Sequence, residues 1–236
     1  MSKKDNFVVS STKNELIIKE KFEYTEKQKR ILETGLSKNC KCIWIDGIYG
    51  STKSYLSVLI GLKLLNQKRV NQLIFVRNPI ESSTTSKIGA LPGLIEEKMQ
   101  PYNQILFDKL NEFLTKPDLE TLKKQDKITC IPLGFSRGLS WEGKFIIVDE
   151  ATGCTFDDLI LLLSRCAEHT KIFFIGDSLN QNDIGTKSGF RKAFELFSDQ
   201  ESKDNGIFTF ELQSMEDILR SGFVRFVMKK TGKIKY

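Results

Sequence analysis

The sequence predicts an α/β fold in which a doubly wound, mostly parallel sheet carries helices on both faces. The first reason is a series of short runs, rich in β-branched and aromatic residues, that are apolar throughout, as strands buried on both faces are. The second is that helical patterns separate these runs, an alternation typical of parallel strands joined by crossover helices. The third is size, because 236 residues with 40% hydrophobic composition suffice for one large domain with a core but not for two.

The predicted elements alternate regularly along the chain. Residues 42–45 form the first apolar run, and the helical pattern 54–65 that follows is apolar on nearly every face, which suits a helix buried beside a sheet. The later predicted strands are residues 73–76, 128–133, 145–148, 172–175 and 207–212. The later predicted helices are residues 94–114, 156–166, 190–197 and 215–228.

No repeat, low-complexity tract or proline-rich linker divides the chain, so we predict one domain at residues 22–228. Residues 1–21 are expected to be an N-terminal extension, mobile up to about residue 20, and residues 229–236 a basic tail. Further mobile stretches are expected at 78–92 and 198–206, which are rich in turn-forming or charged residues. The tail lysines can contact a nucleic-acid backbone, and a frayed polar terminus also explains them.

The composition argues against secretion and membrane spanning. Five cysteines are an odd number, no apolar run follows the N-terminus, and no stretch approaches about 18 apolar residues. We therefore expect a reducing, cytoplasmic location without a membrane partner. The formal charge of +6 is compatible with a nucleotide or nucleic-acid partner without arguing for one by itself.

The first candidate site is the loop between the first strand and its helix. A loop in this position offers a row of backbone N–H groups to phosphate oxygens. Lys53 adds a charge toward the β and γ phosphates, and Ser54 can supply a hydroxyl to Mg²⁺. The predicted nucleotide-contacting residues of the loop are Gly47, Ile48, Tyr49, Gly50, Ser51, Thr52, Lys53, Ser54 and Tyr55.

This loop departs from the usual G-x-x-x-x-G-K-[ST] pattern, because Thr52 stands where the second glycine is expected. Glycine tolerates a positive φ there, whereas a β-branched threonine resists it. Gly50 can relieve part of the strain. The simpler alternative is a strand-to-helix turn with an incidental lysine.

The second candidate site is the acidic pair Asp149 and Glu150, which follows a run of four apolar residues. An unpaired carboxylate at the end of a buried strand is unfavourable, so a metal or another cation is expected beside it. Asp149 can then complete the Mg²⁺ site that Ser54 begins, and Glu150 can orient or deprotonate a water. The alternative is a pair of acids that caps the next element.

The order of further motifs resembles the PhoH family of P-loop ATPases, and through it the core of superfamily-one helicases, from about residue 22 to residue 227. The compact form is similar to the single-domain versions found in bacteria and their phages. The matching segments are Val76-Arg77-Asn78-Pro79, Gly89-Ala90-Leu91-Pro92-Gly93, Glu97-Lys98-Met99-Gln100-Pro101-Tyr102, Arg137-Gly138, Asp149-Glu150-Ala151, Leu163-Ser164-Arg165, Gly176-Asp177 with Gln181, Ser188-Gly189 and Asp217-Ile218-Leu219-Arg220-Ser221.

The resemblance implies a RecA-like P-loop NTPase fold that binds ATP and Mg²⁺ and releases ADP and phosphate. Asp149 would hold the water shell of the ion, and Glu150 would activate the attacking water. Gln181, which follows Asp177, would report on the γ-phosphate. Turnover would drive remodelling or movement on RNA or single-stranded DNA, by analogy with the helicases.

Gln28 has two competing interpretations. It lies in Thr25-Glu26-Lys27-Gln28, which has the pattern of a helix capping box. The resemblance instead suggests an upstream glutamine that reads the adenine edge, with Phe22 or Tyr24 stacking on the base.

Helicases of this class close the nucleotide between two lobes, and the second lobe supplies an arginine. This chain has one lobe, so the arginine is expected from a neighbouring copy in a ring, with a hexamer implied by the resemblance. Arg165 and Arg220 are the leading candidates for this role.

Two other functions remain open. The first is a nucleotide-binding assembly module that seldom hydrolyses ATP because of Thr52. The second is a small-molecule kinase, although the adjacent acids Asp149 and Glu150 and the later Gly-Asp-x-x-x-Gln stretch fit attack by water better.

Overall fold

The computed structural model describes residues 15–77, 103–104, 106–136, 138–180 and 184–232. The described chain forms one six-stranded sheet with the strand order β3-β2-β4-β5-β1-β6. Every neighbouring pair is parallel, which confirms the predicted sheet. The strands are β1 (Cys42–Gly47), β2 (Gln72–Arg77), β3 (Ile128–Pro132), β4 (Lys144–Asp149), β5 (Lys171–Gly176) and β6 (Ile207–Leu212).

Helices cover both faces of the sheet, as predicted. Alternate residues of β1 belong to two separate apolar clusters: Ile43 and Ile45 to one, Cys42 and Trp44 to the other. This follows from the two-residue period of a strand, which points successive side chains to opposite faces. The helices are α1 (Glu26–Leu36), α2 (Lys53–Asn66), the helical residues 106–110, and Lys116–Lys124, Phe156–Ser164, Phe190–Leu196, Gln200–Asp204 and Gly222–Lys230.

Two predicted segments in the C-terminal part of the chain differ from the structure. The predicted helix 215–228 was wrong over its first half, where a 3-10 turn spans Met215–Asp217 and the α-helix begins only at Gly222. Polar capping explains the break, because Asp217 closes a capping box with Ser214 and the Ser221 hydroxyl accepts a bond from the Val224 N–H. The predicted loop 198–206 contains the short helix Gln200–Asp204.

Other predictions fall outside the described residues or only partly within them. Residues 1–14, 78–102 and 233–236 are outside, and with them most of the predicted loop 78–92 and the first part of the predicted helix 94–114. Within the described part of the N-terminal extension, the Leu16 N–H donates to Asn66 Oδ1 at 2.8 Å. Glu20 forms an ion pair with Lys63 at 2.6 Å, so this stretch packs along α2. None of the described helices has the length and apolar character that crossing a membrane requires.

Candidate functional site

The carboxyl ends of β1 and β4 bring the two sequence motifs together. The loop after β1 leads directly into α2 at Lys53, and β4 ends at Asp149. The Ser54 hydroxyl donates a hydrogen bond to Asp149 Oδ1 at 3.1 Å, across 95 residues of sequence. Both motifs line one cavity of about 420 Å³, into which the end of β5 also opens. The phosphate loop and the acidic strand end are therefore close enough to bind one ligand together.

The Lys53 amine lies inside this site. It donates to the carbonyl oxygens of Gly47 and Ile48, the second at 2.9 Å. Burial lowers the pKa of Lys53 to about 8, although the nearby acids Asp177 and Asp149 oppose the shift. A buried ammonium held mainly by carbonyl dipoles gains from a full negative charge, which a phosphate supplies.

The loop backbone is left-handed at Thr52, a conformation that a β-branched residue adopts with difficulty. Thr52 has φ 63°, in the left-handed region, and Gly50 has φ 81°. The Thr52 hydroxyl donates to the Ser51 carbonyl at 2.6 Å and accepts from Gln28 Nε2 at 3.2 Å. These two bonds hold the threonine where glycine is usual, at a conformational penalty of about 1–2 kcal/mol.

Gln28 forms the capping box that its sequence pattern indicates. Thr25 and Gln28 exchange the reciprocal side-chain to backbone bonds of the motif at the start of α1. The amide nitrogen of Gln28 also reaches the carbonyl oxygens of Ser51 and Asp217, at 3.4 and 3.0 Å. The side chain is fully buried and is not part of the cavity wall. In this conformation its hydrogen-bonding groups face the protein, which does not support the adenine-reading interpretation.

Each acid of the pair has a cationic partner. The Asp149 Oδ2 atom lies 3.1 Å from the Lys109 amine, and Glu150 Oε1 lies 2.5 Å from Arg77 Nη2. Glu150 also has a left-handed backbone, with φ 55°. Burial raises the pKa of Glu150, and Arg77 opposes this shift. Sequence reasoning missed Lys109, because an isolated lysine in a helical pattern carries no motif.

The two candidate arginines lie in different places. Arg220 lines the cavity of its own chain, beside Tyr49 and Gly50. The Arg165 carbonyl accepts a bond from the N–H of Trp141, which precedes β4, at 2.9 Å. Arg165 is therefore at the amino end of the strand whose carboxyl end carries Asp149. Arg220 therefore lies at its own chain's phosphate loop, and an arginine supplied by a neighbouring copy stays a prediction.

Aromatic rings form part of the cavity wall. Phe22 and Tyr55 both line it, with ring centroids 4.8 Å apart in an edge-to-face arrangement. Tyr24 is not among the lining residues and donates instead to Glu20 at 3.0 Å. Asp177 is buried and accepts a bond from the Asn180 N–H at 3.0 Å, whereas Gln181 lies outside the described residues.

The donor set at the junction of the motifs fits Mg²⁺. Ser54 and Asp149 offer a hydroxyl and a carboxylate, the hard oxygen ligands that Mg²⁺ prefers. In the part of the chain that the structure describes, no cluster of three or more His, Cys, Asp or Glu side chains could form an all-protein metal cage. Mg²⁺ with one or two protein ligands and substrate phosphates needs no such cage.

Comparison with known proteins agrees with these motifs. The family model described as PhoH-like protein matches residues 21–231. The PhoH-like protein of Synechocystis sp. is 31% identical over 157 residues, which are 66% of this chain and 47% of that protein. The PhoH-like protein of Bacillus subtilis is 29% identical over 189 residues, 79% of this chain and 57% of that protein. The chain thus matches about half the length of these curated relatives.

Proposed function

This chain belongs to the PhoH-like protein family, and we propose that it binds ATP with Mg²⁺ in the 420 Å³ cavity and hydrolyses it to ADP and phosphate. The observation that carries this proposal is the 3.1 Å hydrogen bond between Ser54 and Asp149. It joins the phosphate loop to the acidic strand end, the two parts that magnesium-dependent phosphoryl transfer requires.

Each residue of the site has a distinct role in the proposal. The loop N–H groups and the Lys53 amine bind the β and γ phosphates, with the amine exchanging its carbonyl acceptors for phosphate oxygens. Ser54 and Asp149 would hold Mg²⁺, which when bound neutralises charge that builds on the phosphates. Phe22 and Tyr55 provide a ring surface for the base, and Arg220 adds a positive charge at the loop.

Glu150 is the proposed general base. Its raised pKa makes it a better proton acceptor near neutral pH than an ordinary carboxylate. Only its Oε1 atom pairs with Arg77 among the contacts described, and the residue lines the cavity together with Asp149.

The experiment compares steady-state phosphate release by wild type, Lys53→Ala, Glu150→Gln and Thr52→Gly, without any phosphoryl acceptor. We expect turnover by wild type and a loss of at least about 100-fold in the first two variants. Phosphate release without an acceptor also excludes a small-molecule kinase.

A second candidate is a nucleotide-binding assembly module with little hydrolysis. The Arg77 ion pair favours it, because a carboxylate paired with a guanidinium is a weaker proton acceptor. The strained Thr52 favours it as well. Turnover that is absent from wild type and arises only in Thr52→Gly would support this candidate over the enzyme.

The proposal extends to two partners. Coupling of turnover to RNA or single-stranded DNA is tested by phosphate release with and without each strand at two salt concentrations, because binding to a phosphate backbone weakens as salt rises. In a ring of copies, with a hexamer as the expected form, each copy would supply an arginine to the nucleotide bound by its neighbour. Arg165 fits this role by position, since its own chain keeps it at the opposite edge of the sheet from the cavity.

A further inference from the structure

Lys109 has an unusual position for a residue outside every motif. It lies in the helical residues 106–110 and lines the same cavity as Lys53 and Asp149. Its amine is 3.1 Å from Asp149 Oδ2 and 5.4 Å from the centroid of the Phe75 ring. The side chain is 26% exposed, so the amine is directed into the site rather than into solvent.

The amine contacts the carboxylate that the proposed function assigns to the metal. Asp149 is only 10% exposed, and its other oxygen accepts from Ser54. A carboxylate buried to this degree is strongly unfavourable without a cation. Lys109 provides that cation in the described part of the chain.

We propose that Lys109 is a positioning residue that stands in for the divalent cation: it neutralises Asp149 in the metal-free protein and is displaced from this carboxylate when Mg²⁺ is loaded. The inference rests on the proposed function. Both cations would compete for one buried carboxylate, and two positive charges beside the same buried group repel each other strongly. The Lys109 side chain has four flexible carbons, which allow the amine to move within the cavity.

A displaced amine stays within range of the substrate. Lys109 lines the same cavity as the phosphate-loop residues Lys53 and Ser54. A bound triphosphate brings several negative charges into the same space. Lys109 therefore strengthens nucleotide binding most when Mg²⁺ is absent. It also makes the gain in nucleotide affinity on adding Mg²⁺ smaller.

The test measures equilibrium binding of a fluorescent, non-hydrolysable ATP analogue to wild type, Lys109→Met, Lys109→Gln and Lys109→Arg. Binding is followed with EDTA and across a Mg²⁺ titration, so the readout does not depend on turnover. For Lys109→Met and Lys109→Gln we expect an affinity about fivefold weaker in EDTA and a half-saturating Mg²⁺ concentration about threefold to tenfold lower. Lys109→Arg keeps the charge and is expected to behave like wild type.

Lys123→Met is the matched control. Lys123 also pairs with a carboxylate, Glu120 at 2.9 Å, and lies over the Phe107 ring at 3.9 Å, but it is outside the cavity. It should change neither quantity. Wild-type values in both neutral Lys109 variants, or an equal shift in the Lys123 variant, would overturn the inference while the proposed function stands. If wild type bound no nucleotide under any condition, the proposed function itself would fail.

Discussion

At the scale of single residues, the site combines charged groups in partly or fully buried surroundings with residues in unfavourable backbone conformations. Lys53 is a buried amine with a lowered pKa, and Glu150 is a half-buried acid with a raised pKa. Thr52 and Glu150 both have left-handed backbones, which are unfavourable for residues other than glycine. Such features concentrate where a ligand is to be bound, because the ligand supplies the missing partner.

Replacing Lys53 by methionine should stabilise the nucleotide-free protein at pH 7. The folded-state pKa of about 8 lies below the value of about 10.4 expected for an unfolded lysine, so below pH 8 the folded protein carries the full penalty of a buried charge. The unfolded state binds more protons between about pH 8 and pH 10, so wild-type stability rises with pH across this window and the advantage of Lys53→Met shrinks.

Denaturant unfolding of both proteins at pH 7 and pH 9.5 measures this difference. Lys203→Met, on the exposed helix Gln200–Asp204, serves as control and should show no such pH dependence. A Lys53→Met protein that is less stable than wild type at pH 7 would contradict the assigned cause of the pKa shift.

At the scale of elements, helix α1 supports the phosphate loop through one side chain. Gln28 caps α1 and also donates to the Ser51 carbonyl, the Thr52 hydroxyl and the Asp217 carbonyl. The same amide thus connects the start of the domain, the loop and the C-terminal segment. This connection is long-range and could not be read from the capping-box pattern, which describes four consecutive residues only.

Comparing Thr25→Ala with Gln28→Ala separates the cap from the loop support. Thr25→Ala removes the N-cap and should lower the free energy of unfolding by about 1 kcal/mol with nucleotide affinity unchanged. Gln28→Ala also leaves buried carbonyls unpaired, so the loss should be about 2–4 kcal/mol, with weaker nucleotide binding. Denaturant unfolding and binding of ATP and GTP analogues measure both effects. Gln28→Ala should weaken the binding of the ATP and GTP analogues equally. A selective loss of affinity for the ATP analogue would instead support the adenine-reading role.

The sequence predicted the strands better than the contacts at their ends. Strands buried on both faces are apolar in every position, so the segments that became β1, β4 and β5 were recognisable from composition alone. The phosphate loop and Asp149 were recognisable because their chemistry needs fixed residue types. The partners Lys109 and Arg77 depend on how helix and strand ends meet in space, which no local pattern encodes. The last predicted helix was shortened because Ser221 caps it.

At the scale of the whole molecule, the sheet keeps the two candidate arginines apart. Arg220 lies at the cavity, while Arg165 lies at the amino ends of β4 and β5. An arginine at that edge can serve an active site only in another copy, whereas Arg220 can serve its own. The two positions therefore predict opposite outcomes when inactive variants are mixed in one assembly.

Mixing inactive variants should distinguish these roles, provided that turnover is established. Arg165→Ala has an intact cavity, and Lys53→Ala has an intact Arg165, so assemblies that contain both should recover part of the phosphate release that each lacks alone. Arg220→Ala mixed with Lys53→Ala is the matched control and should recover none, because each defect lies in its own chain's cavity. Sedimentation with nucleotide checks that the copies associate. No recovery in the first mixture, or a fully active protein that stays monomeric at high concentration, would remove Arg165 from the site and leave the arginine function to Arg220 alone.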